Sequence, residues 1–371
     1  MNVVIACGGT GGHLFPGVAV AEVLTERKHD VLLLVSEKEI DQIALQGRNS
    51  LAARQLPSIG WPRGLSIQTA KFLWQLWKAR GFCRKLYQAS PPDVVLAMGG
   101  FTSAAPMWEA QRLGIPTLIH EANVIPGRAN RILARTATRV VVGFREAAAR
   151  FDPEKVVVGG TPVRSELKAS QDRAAARAEL GFGPDTPVVL VMGGSQGARG
   201  LNTRVIESLP HLRGRPVEWA HLCGKGEEAR TEQAYREAGF RARVWPFFSE
   251  MQKLYAAADL AVSRAGAASI TEINFFGLPA IYVPYPFAAD KHQAANAKVE
   301  VTAGAGLCFD EAELTGKMLA AEISRLLSDK GSLSRMAEAS RKLAVPDAAA
   351  KLADLACELA ERHRTGPILK V

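Results

Sequence analysis

Residues 3–13 read VVIACGGTGGH, and residues 188–198 read VVLVMGGSQGA, so one pattern opens both halves of the chain. In each copy an apolar run passes into a glycine-rich turn and then into the start of a helical stretch. Continuous apolar runs are typical of parallel strands covered on both faces. A third, weaker copy, VVLAMGGFTSA, spans 94–104. The pattern predicts two Rossmann-like domains, each opening with its own glycine loop.

Short β-branched runs alternate with helical stretches along the whole chain, which predicts an α/β fold of two doubly wound parallel sheets. The sheet pattern stops near 156–170, where Gly159, Gly160 and Pro162 interrupt it. The predicted organisation has an N-terminal domain over 1–162, a C-terminal domain over 163–345, and a last helix over 346–371. We expect this last helix to pack back on the first domain.

Composition describes a globular chain of 371 residues with 47% apolar residues and a net charge of +9. Its five cysteines lack CxxC spacing, which favours a reduced cytosolic protein over a disulfide or zinc framework. No apolar run approaches the roughly 20 residues of a membrane span, and no basic leader precedes the first strand, so we expect a soluble or peripheral protein. The positive charge favours acidic partners, which leaves phosphates, nucleic acid and an anionic membrane open.

The first glycine loop is typical of an anion site, because a helix N-terminus directs unpaired N–H groups and a positive dipole at a bound phosphate. The string GxxxxGK[ST] does not occur, and a GxGxxG fingerprint beginning at Gly9 lacks its third glycine. Glu37, at the end of the second predicted strand, keeps an NAD site as an alternative. His13 falls in the first helical turn, where the dipole favours the neutral imidazole that a general base requires. The alternative is a structural, helix-capping histidine.

A second polar constellation follows in SRAGAASITEINFFGLPAIYVPYP, residues 263–286. Glu272 lies one to two turns into the predicted helix, where a carboxylate suits the two hydroxyls of a ribose. The stretch 290–297, DKHQAANA, places Gln293 and Asn296 at helical spacing, and amides there suit sugar hydroxyls. The alternatives are a surface glutamate and a solvated helix start.

Seven motifs in order resemble the MurG family of glycosyltransferase family 28: GGTGGH, HEANVIPG (120–127), GTPVR (160–164), GGSQGAR (193–199), SRAGAASITE (263–272), GLPAIYVP (277–284) and DKHQAANA. The resemblance implies a GT-B fold, in which the two domains face each other across a cleft. It also implies an inverting transfer of N-acetylglucosamine from UDP-N-acetylglucosamine to the C4 hydroxyl of lipid I, giving lipid II in peptidoglycan synthesis. Neither a metal nor another cofactor is implied.

The resemblance also assigns roles to residues. The second domain would hold most of the donor, with Glu272 at the ribose, Phe248 near the uracil and Gln293 at the sugar. Arg164 and Ser195 would meet the diphosphate, together with the helix turn Ala267, Ala268, Ser269, Ile270 and Thr271. Residues of the first domain would reach the donor across the cleft: Thr10, Gly11, Gly12 and Asn123. His13 is the expected base and Glu121 the reserve. His292 stands where the family usually has glutamine, so no sugar contact is assigned to it.

Lipid I is anchored in a membrane, and residues 70–87 offer a surface for reaching it. Read as a helix, AKFLWQLWKARGFCRKLY places Phe72, Leu76, Ala79, Cys83 and Leu86 on one core stripe. Its opposite face carries the predicted membrane-facing residues Trp74, Trp77, Lys78, Arg84 and Lys85, which suit an anionic bilayer surface. The alternative is a solvated basic face with the tryptophans packed under a loop. Nucleic acid is not expected, because no RNA-binding motif accompanies this face.

The resemblance therefore implies a peripheral enzyme on the cytoplasmic face of the inner membrane, with cell-wall synthesis proteins as further partners. A UDP-N-acetylglucosamine 2-epimerase on the same fold is the main rival. It would need acidic groups around the sugar ring, and the sequence shows no such cluster. A UDP-sugar-binding regulator without catalysis would have no use for His13.

Overall fold

The computed structural model describes residues 1–37, 48, 51–57, 67–168, 172–194 and 197–365. Two compact units make up the chain. Unit 1 comprises Met1–Arg164 together with Val345–Val371, and unit 2 comprises Ser165–Ala344. The sequence placed the corresponding divisions after residues 162 and 345.

Unit 1 is built on a parallel sheet, seven of whose strands lie in the described residues, in the order β3-β2-β1-β4-β5-β6-β7. Short 3₁₀ turns add Phe101–Ser103 and Arg145–Arg150. The elements in chain order are β1 (Asn2–Ala6), α1 (Gly11–Glu26), β2 (Asp30–Val35), β3 (Ala52–Gln55), α2 (Ile67–Ala89), β4 (Val94–Ala97), α3 (Ala104–Arg112), β5 (Thr117–Glu121), α4 (Arg128–Leu133), β6 (Arg139–Val142) and β7 (Val156–Val158).

Unit 2 is also built on a parallel sheet, and its six described strands follow the order β10-β9-β8-β11-β12-β13. Short 3₁₀ turns cover Ser165–Lys168, Leu209–Leu212 and Ala289–Lys291. The elements in chain order are α5 (Arg173–Leu180), β8 (Val188–Met192), α6 (Arg199–Ser208), β9 (Glu218–Leu222), α7 (Glu228–Ala238), β10 (Ala242–Trp245), α8 (Met251–Ala257), β11 (Leu260–Ser263), α9 (Ala267–Phe276), β12 (Ala280–Tyr282), α10 (His292–Thr302), β13 (Gly306–Cys308), α11 (Gly316–Ser328) and α12 (Lys330–Leu343).

Both sheets have a topological switch point, where two neighbouring strands lead into connections on opposite sides. In unit 1 it lies between β1 and β4, and in unit 2 between β8 and β11. Ligands of open α/β sheets bind at the carboxyl ends of the strands beside such points. The glycine loops after β1, β4 and β8 follow strands at these points. The predicted pair of doubly wound parallel sheets is confirmed.

The last helix, α13 (Ala348–Thr365), completes the core of unit 1. Leu352, Ala353 and Ala356 are buried in one cluster with Val18 of α1 and Leu96 of β4. The chain returns through a close contact. A Cβ added at Gly160 would stand 2.5 Å from Val345 Cβ, so this position requires glycine. A helix from the far end of the sequence therefore belongs to the first unit's core.

Candidate active site

The imidazole of His13 lies against the backbone of the loop that follows β4. A Cβ added at Gly99 would stand 2.9 Å from His13 Cδ2, and one at Gly100 would stand 3.0 Å from His13 Nδ1. Both glycines also have positive φ, at 97° and 77°, where other residues are strained. The glycines of the 94–104 copy therefore make room for a histidine from the 3–13 copy.

Thr10 fixes one nitrogen of that ring. Thr10 precedes α1, and its Oγ1 lies 3.0 Å from His13 Nδ1. In the tautomer whose Nδ1–H donates to Thr10, Nε2 carries the basic lone pair. The structure thus brings together three residues predicted from sequence, because Thr10 precedes α1, Gly11 opens it and His13 lies in its first turn.

His120 is a buried histidine of unit 1 that is held neutral and is close enough to His13 to respond to its charge. His120 Nε2 is 3.0 Å from the Gly160 carbonyl, and the side chain is 1% exposed. Burial lowers the pKa of His120 to about 4, against the opposing effect of this hydrogen bond. The charge that His13 acquires on protonation lowers the pKa of His120 further. The His120 imidazole is therefore uncharged near neutral pH.

Glu121 is the hub of the loop after β5. Its Oε1 accepts hydrogen bonds from the N–H of Asn123, at 2.9 Å, and from Asn123 Nδ2, at 3.2 Å. Its Oε2 accepts from the N–H of Gly127, at 2.9 Å, and from Asn130 Nδ2, at 2.8 Å. The carboxylate is buried, at 2% exposed. These four bonds give Glu121 a structural role that orders Asn123, and they favour His13 over Glu121 as the base.

Arg164, the last residue of the first segment of unit 1, lies over α1. Its guanidinium carbon is 4.4 Å from the centre of the Phe15 ring. Phe15 in turn packs beside Gly11, where an added Cβ would stand 3.2 Å from the ring. The structure therefore places the predicted diphosphate ligand Arg164 near the first turn of α1.

In unit 2, a buried arginine follows β11 at the switch point. Arg264 is 4% exposed and donates to the carbonyls of Val283, at 3.0 Å, and Pro284, at 3.2 Å. It forms an ion pair with Glu311. A Cβ added at Gly200, in the first turn of α6, would collide with that same Glu311 carboxylate. The predicted ligand Ser195 lies outside the described residues.

The first turns of α9 contain five of the predicted substrate-binding residues. Ala267 is buried, whereas Ala268 and Ser269 are partly exposed at the opening of the helix. Ile270 is fully buried and its N–H donates to the Gly266 carbonyl at 3.0 Å. Thr271 Oγ1 donates to the Ala267 carbonyl at 2.9 Å. Ile270 and Thr271 therefore shape the turn, while the residues before them stand at its open end.

Glu272 is held by a tyrosine that the sequence analysis did not single out. The Tyr255 hydroxyl donates to Glu272 Oε2 at 2.7 Å, and the two side chains are 2% and 9% exposed. The Tyr255 ring stacks on Phe276, with 5.1 Å between ring centres. The predicted ribose ligand is therefore a nearly buried carboxylate with one oxygen oriented by a phenol.

The remaining donor-site candidates of unit 2 lie in α10 and just beyond β10. Gln293 lies in the first turn of α10, and its Oε1 accepts a hydrogen bond from the N–H of Tyr285 at 2.8 Å. The fully buried Asn296 donates to the Ala265 carbonyl at 3.2 Å, so it supports the start of α9. Phe248, beyond the edge strand β10, packs on Trp245 with 5.0 Å between ring centres.

Helix α2 has the predicted two faces. Phe72, Ala79 and Cys83 are buried, whereas Trp74 and Trp77 are 51% and 70% exposed. Lys78 Nζ lies 3.6 Å from the centre of the Trp74 ring, and Lys85 is exposed. Arg84 forms an ion pair within the unit, because its Nε lies 3.4 Å from Oε2 of the buried Glu109. The same carboxylate also pairs with Arg80 and Arg112.

Sequence reasoning missed three contributors. Tyr255 gives no local signal, since it lies 17 residues before Glu272 in another helix. Arg264 does give one, because it is a charge directly after the buried strand β11. Trp108 of α3 is 48% exposed and stacks with Arg80, at 4.4 Å, which extends the aromatic surface of α2. Within the described ranges, no group of three or more His, Cys, Asp or Glu side chains could hold a metal ion.

Comparison with known proteins identifies the family. The model of the glycosyltransferase family 28 N-terminal domain matches residues 3–142, and that of the C-terminal domain matches residues 188–352. The chain belongs to glycosyltransferase family 28. The expected resemblance to that family is confirmed.

Individual relatives of this family 28 chain match over nearly their full length. An Anaeromyxobacter sp. (strain Fw109-5) protein named UDP-N-acetylglucosamine--N-acetylmuramyl-(pentapeptide) pyrophosphoryl-undecaprenol N-acetylglucosamine transferase is 37% identical, over 99% of this chain and 96% of that one. The crystal structure of Acinetobacter baumannii MurG aligns with a TM-score of 0.76 at 30% identity, covering 96% of this chain and 99% of that one. A structure described as a putative UDP-N-acetylglucosamine 2-epimerase from Listeria monocytogenes aligns at 0.72 with 14% identity, covering 98% and 97%. At that identity the likeness shows a common fold alone.

Proposed function

We propose that the chain is an inverting, metal-independent transferase. It moves N-acetylglucosamine from UDP-N-acetylglucosamine to the C4 hydroxyl of the N-acetylmuramic acid of lipid I, giving lipid II. One observation carries the proposal. A family 28 chain that is 37% identical to a transferase of this name over nearly its whole length also orients an imidazole at the opening of α1. The epimerase alternative rests on a likeness of fold at 14% identity.

The proposal assigns activation of the acceptor to unit 1. The C4 hydroxyl oxygen of the acceptor forms a bond to C1 of the donor sugar as the bond from C1 to the diphosphate oxygen breaks. The hydroxyl proton passes to His13 Nε2, since Nδ1 is held by Thr10. A positioned base of this kind contributes about 10²–10⁴-fold to a rate. Asn123, ordered by Glu121, is assigned to substrate binding.

The proposal assigns the donor mainly to unit 2. Glu272 accepts hydrogen bonds from the ribose hydroxyls, Phe248 lies at the uracil and Gln293 at the N-acetylglucosamine. The leaving diphosphate gains negative charge, which the N–H groups and dipole at the opening of α9 stabilise through Ala268 and Ser269. Ser195 and Arg164 are assigned to the same diphosphate, and Gly11 and Gly12 of unit 1 to its edge.

Release of UDP tests this function. Parent enzyme is mixed with UDP-N-acetylglucosamine, with and without a soluble lipid I analogue, and both UDP and the sugar products are measured. We expect UDP release to depend on the acceptor and to yield a β-linked disaccharide. Conversion of the donor sugar to its 2-epimer in the absence of acceptor would support the rival enzyme instead. Tight donor binding with neither reaction would support a regulator.

We also infer that unit 1 docks on an anionic membrane to reach lipid I, at the cytoplasmic face of the inner membrane. None of the helices in the described part of the chain combines the length and apolarity needed to cross a bilayer. Trp74, Trp77 and Trp108 are exposed, and two of them stack with cations: Trp74 with Lys78 and Trp108 with Arg80. Tryptophan with lysine or arginine suits the headgroup region of a bilayer.

Co-sedimentation with vesicles tests the docking surface. We expect Trp74→Ser/Trp77→Ser to lose most binding to cardiolipin-containing vesicles while it keeps its activity on a soluble acceptor analogue. Phe287→Ser is the matched control, because Phe287 of unit 2 is 75% exposed and lies outside the proposed surface. A double variant that binds these vesicles as the parent does would remove this face from the proposal.

A further inference from the structure

The contact between Tyr255 and Glu272 joins two helices of unit 2 within its core. Tyr255 belongs to α8, and Glu272 to α9. The hydroxyl-to-carboxylate distance is 2.7 Å. Both side chains are at least nine-tenths buried, at 2% and 9% exposed. A hydrogen bond to a charged acceptor in such a place is among the stronger ones a protein makes.

The tyrosine is itself held in place. Its ring stacks on Phe276 at the end of α9, with 5.1 Å between ring centres and 25° between the ring planes. These two contacts of Tyr255 fall on α9, one at Glu272 and the other one turn later. The helix and the phenol fix each other, and the orientation of the Glu272 carboxylate follows from that arrangement.

We propose that Tyr255 is a positioning residue that sets the Glu272 carboxylate for recognition of a ribose diol. This rests on the proposed function, in which Glu272 binds the ribose. A carboxylate has about four acceptor sites on two oxygens. Tyr255 occupies one site on Oε2 and thereby restricts rotation about the last side-chain bond. The carboxylate plane then has a defined orientation, which recognition of two adjacent hydroxyls requires.

Two other buried phenols of unit 2 differ from Tyr255 in what their hydroxyls contact. Tyr282 is fully buried, and its hydroxyl has no hydrogen-bond partner in the described residues. The Tyr235 hydroxyl lies 2.9 Å from Nδ1 of the buried His221. Among these three phenols, Tyr255 is the one that donates to a carboxylate. Tyr282→Phe is therefore a matched control that removes a buried hydroxyl away from Glu272.

The test compares the affinity of each variant for UDP and for 2′,3′-dideoxy-UDP by calorimetry. The measured quantity is the ratio of the two dissociation constants, which a partly unfolded sample leaves unchanged. We expect the parent to prefer UDP on the order of 100-fold, since each ribose hydroxyl bonds to a charged group. Tyr255→Phe should lower the ratio about fivefold, and Tyr282→Phe should keep the parent ratio.

Glu272→Ala separates this inference from the function beneath it. We expect that variant to lose most of the preference, and Tyr255→Phe to have no further effect in its background, because no carboxylate is left to position. If Glu272→Ala keeps the parent ratio, the ribose contact fails and the inference fails with it. If Glu272→Ala lowers the ratio but Tyr255→Phe does not, the contact stands and the positioning role is overturned. A Tyr255→Phe effect that persists without Glu272 overturns it as well.

Turnover gives a second readout. A positioning role at the ribose predicts that Tyr255→Phe raises the KM for UDP-N-acetylglucosamine about fivefold and leaves kcat within twofold of the parent. A fall in kcat with unchanged KM would contradict the proposal, because the effect would then lie at the reacting atoms.

Discussion

In each unit, one residue follows the second strand of the switch point, and we call this position the junction. The junction residue is apolar in unit 1 and charged in unit 2. In unit 1, the N–H of Met98 after β4 donates to the Ala6 carbonyl at 2.9 Å, and in unit 2 the N–H of Arg264 after β11 donates to the Met192 carbonyl at 3.2 Å. These positions are equivalent in the two sheets. Met98 is a buried apolar residue followed by two glycines, whereas Arg264 is a buried cation paired with Glu311.

The difference shows how one framework supports two chemistries. In unit 1 the glycines after Met98 leave room for the His13 ring, so the polar group comes from the neighbouring loop. In unit 2 the polar group comes from the junction itself, and its charge is committed to Glu311 and to two carbonyls. Near its junction, unit 1 therefore has an imidazole that can exchange a proton. Unit 2 has a buried guanidinium there whose bonds hold neighbouring segments in place.

The largest effect is expected at the unit 1 junction. His13→Ala should lower turnover about 10²–10⁴-fold, and the affinity for UDP-N-acetylglucosamine should change little. Single-turnover rates with saturating donor, together with donor binding by calorimetry, check this. A collapse of donor binding with surviving turnover of bound donor would make His13 a binding residue.

At the unit 2 junction the expected effect is on stability. Arg264→Gln should destabilise unit 2 by about 3–5 kcal/mol, because it leaves the Glu311 carboxylate without its guanidinium. Hydrogen exchange of the β8 and β11 amides measures this. Lys342→Gln is the control, since it removes a cation from an exposed pair with Glu338 and should cost less than about 1 kcal/mol. Equal losses of stability in the two variants would show that the buried Arg264 ion pair does not stabilise unit 2 more than an exposed pair does.

Glycine substitutions sharpen the same contrast. Gly99→Ala should displace the His13 ring and lower turnover about 10–100-fold, as 1–3 kcal/mol of overpacking and strain imply. At Gly194, after β8, φ is also positive, but an added Cβ would meet nothing within 4 Å. Gly194→Ala should therefore act through backbone strain alone, which thermal unfolding of the two variants registers. Unchanged turnover in Gly99→Ala would show that the His13 position is not critical.

Acid should weaken both units, through one buried histidine in each. Burial lowers the pKa of His120 to about 4 and that of His221 to about 3, whereas an unfolded histidine has a pKa near 6.5. The unfolded chain then binds more protons, so stability is complete above about pH 6.5 and falls as the pH drops towards the folded values. Each histidine should cost about 2 kcal/mol at pH 5.

Hydrogen exchange at pH 7.5 and pH 5 measures this loss separately in β5 of unit 1 and β9 of unit 2. His120→Gln should remove about 2 kcal/mol of the pH dependence from unit 1 and leave that of unit 2 intact. A variant with the full acid sensitivity in β5 would assign the effect to another group.

The sequence predicted the fold because strand–helix alternation and glycine turns are local signals. The strands of the two switch points appear as apolar runs, and all of them form. The edge strand β3 gives no such signal, because its four residues, AARQ, are exposed and carry no apolar pattern. The edge strands β7 and β13 give a weak signal as well, since each has only three residues.

The site was predicted less completely, because its decisive contacts join distant segments. His13 and Glu272 could be proposed from residue type and position in a motif. The fit of His13 against Gly99 depends on β1 and β4 being neighbours, although some 85 residues of sequence separate their loops. The four bonds to Glu121 likewise appear only once the loop after β5 closes on that carboxylate.

The return of α13 to unit 1 has a consequence for synthesis on the ribosome. Ala353, Ala356 and Ala360 fill the same apolar cluster as Val18 of α1, so that cluster stays open until the ribosome has translated past residue 360. Unit 2 is one continuous segment and can close first. Translation normally favours folding of the N-terminal domain first. Here the order of synthesis implies that the core of unit 1 is completed only after the whole of unit 2 has been translated.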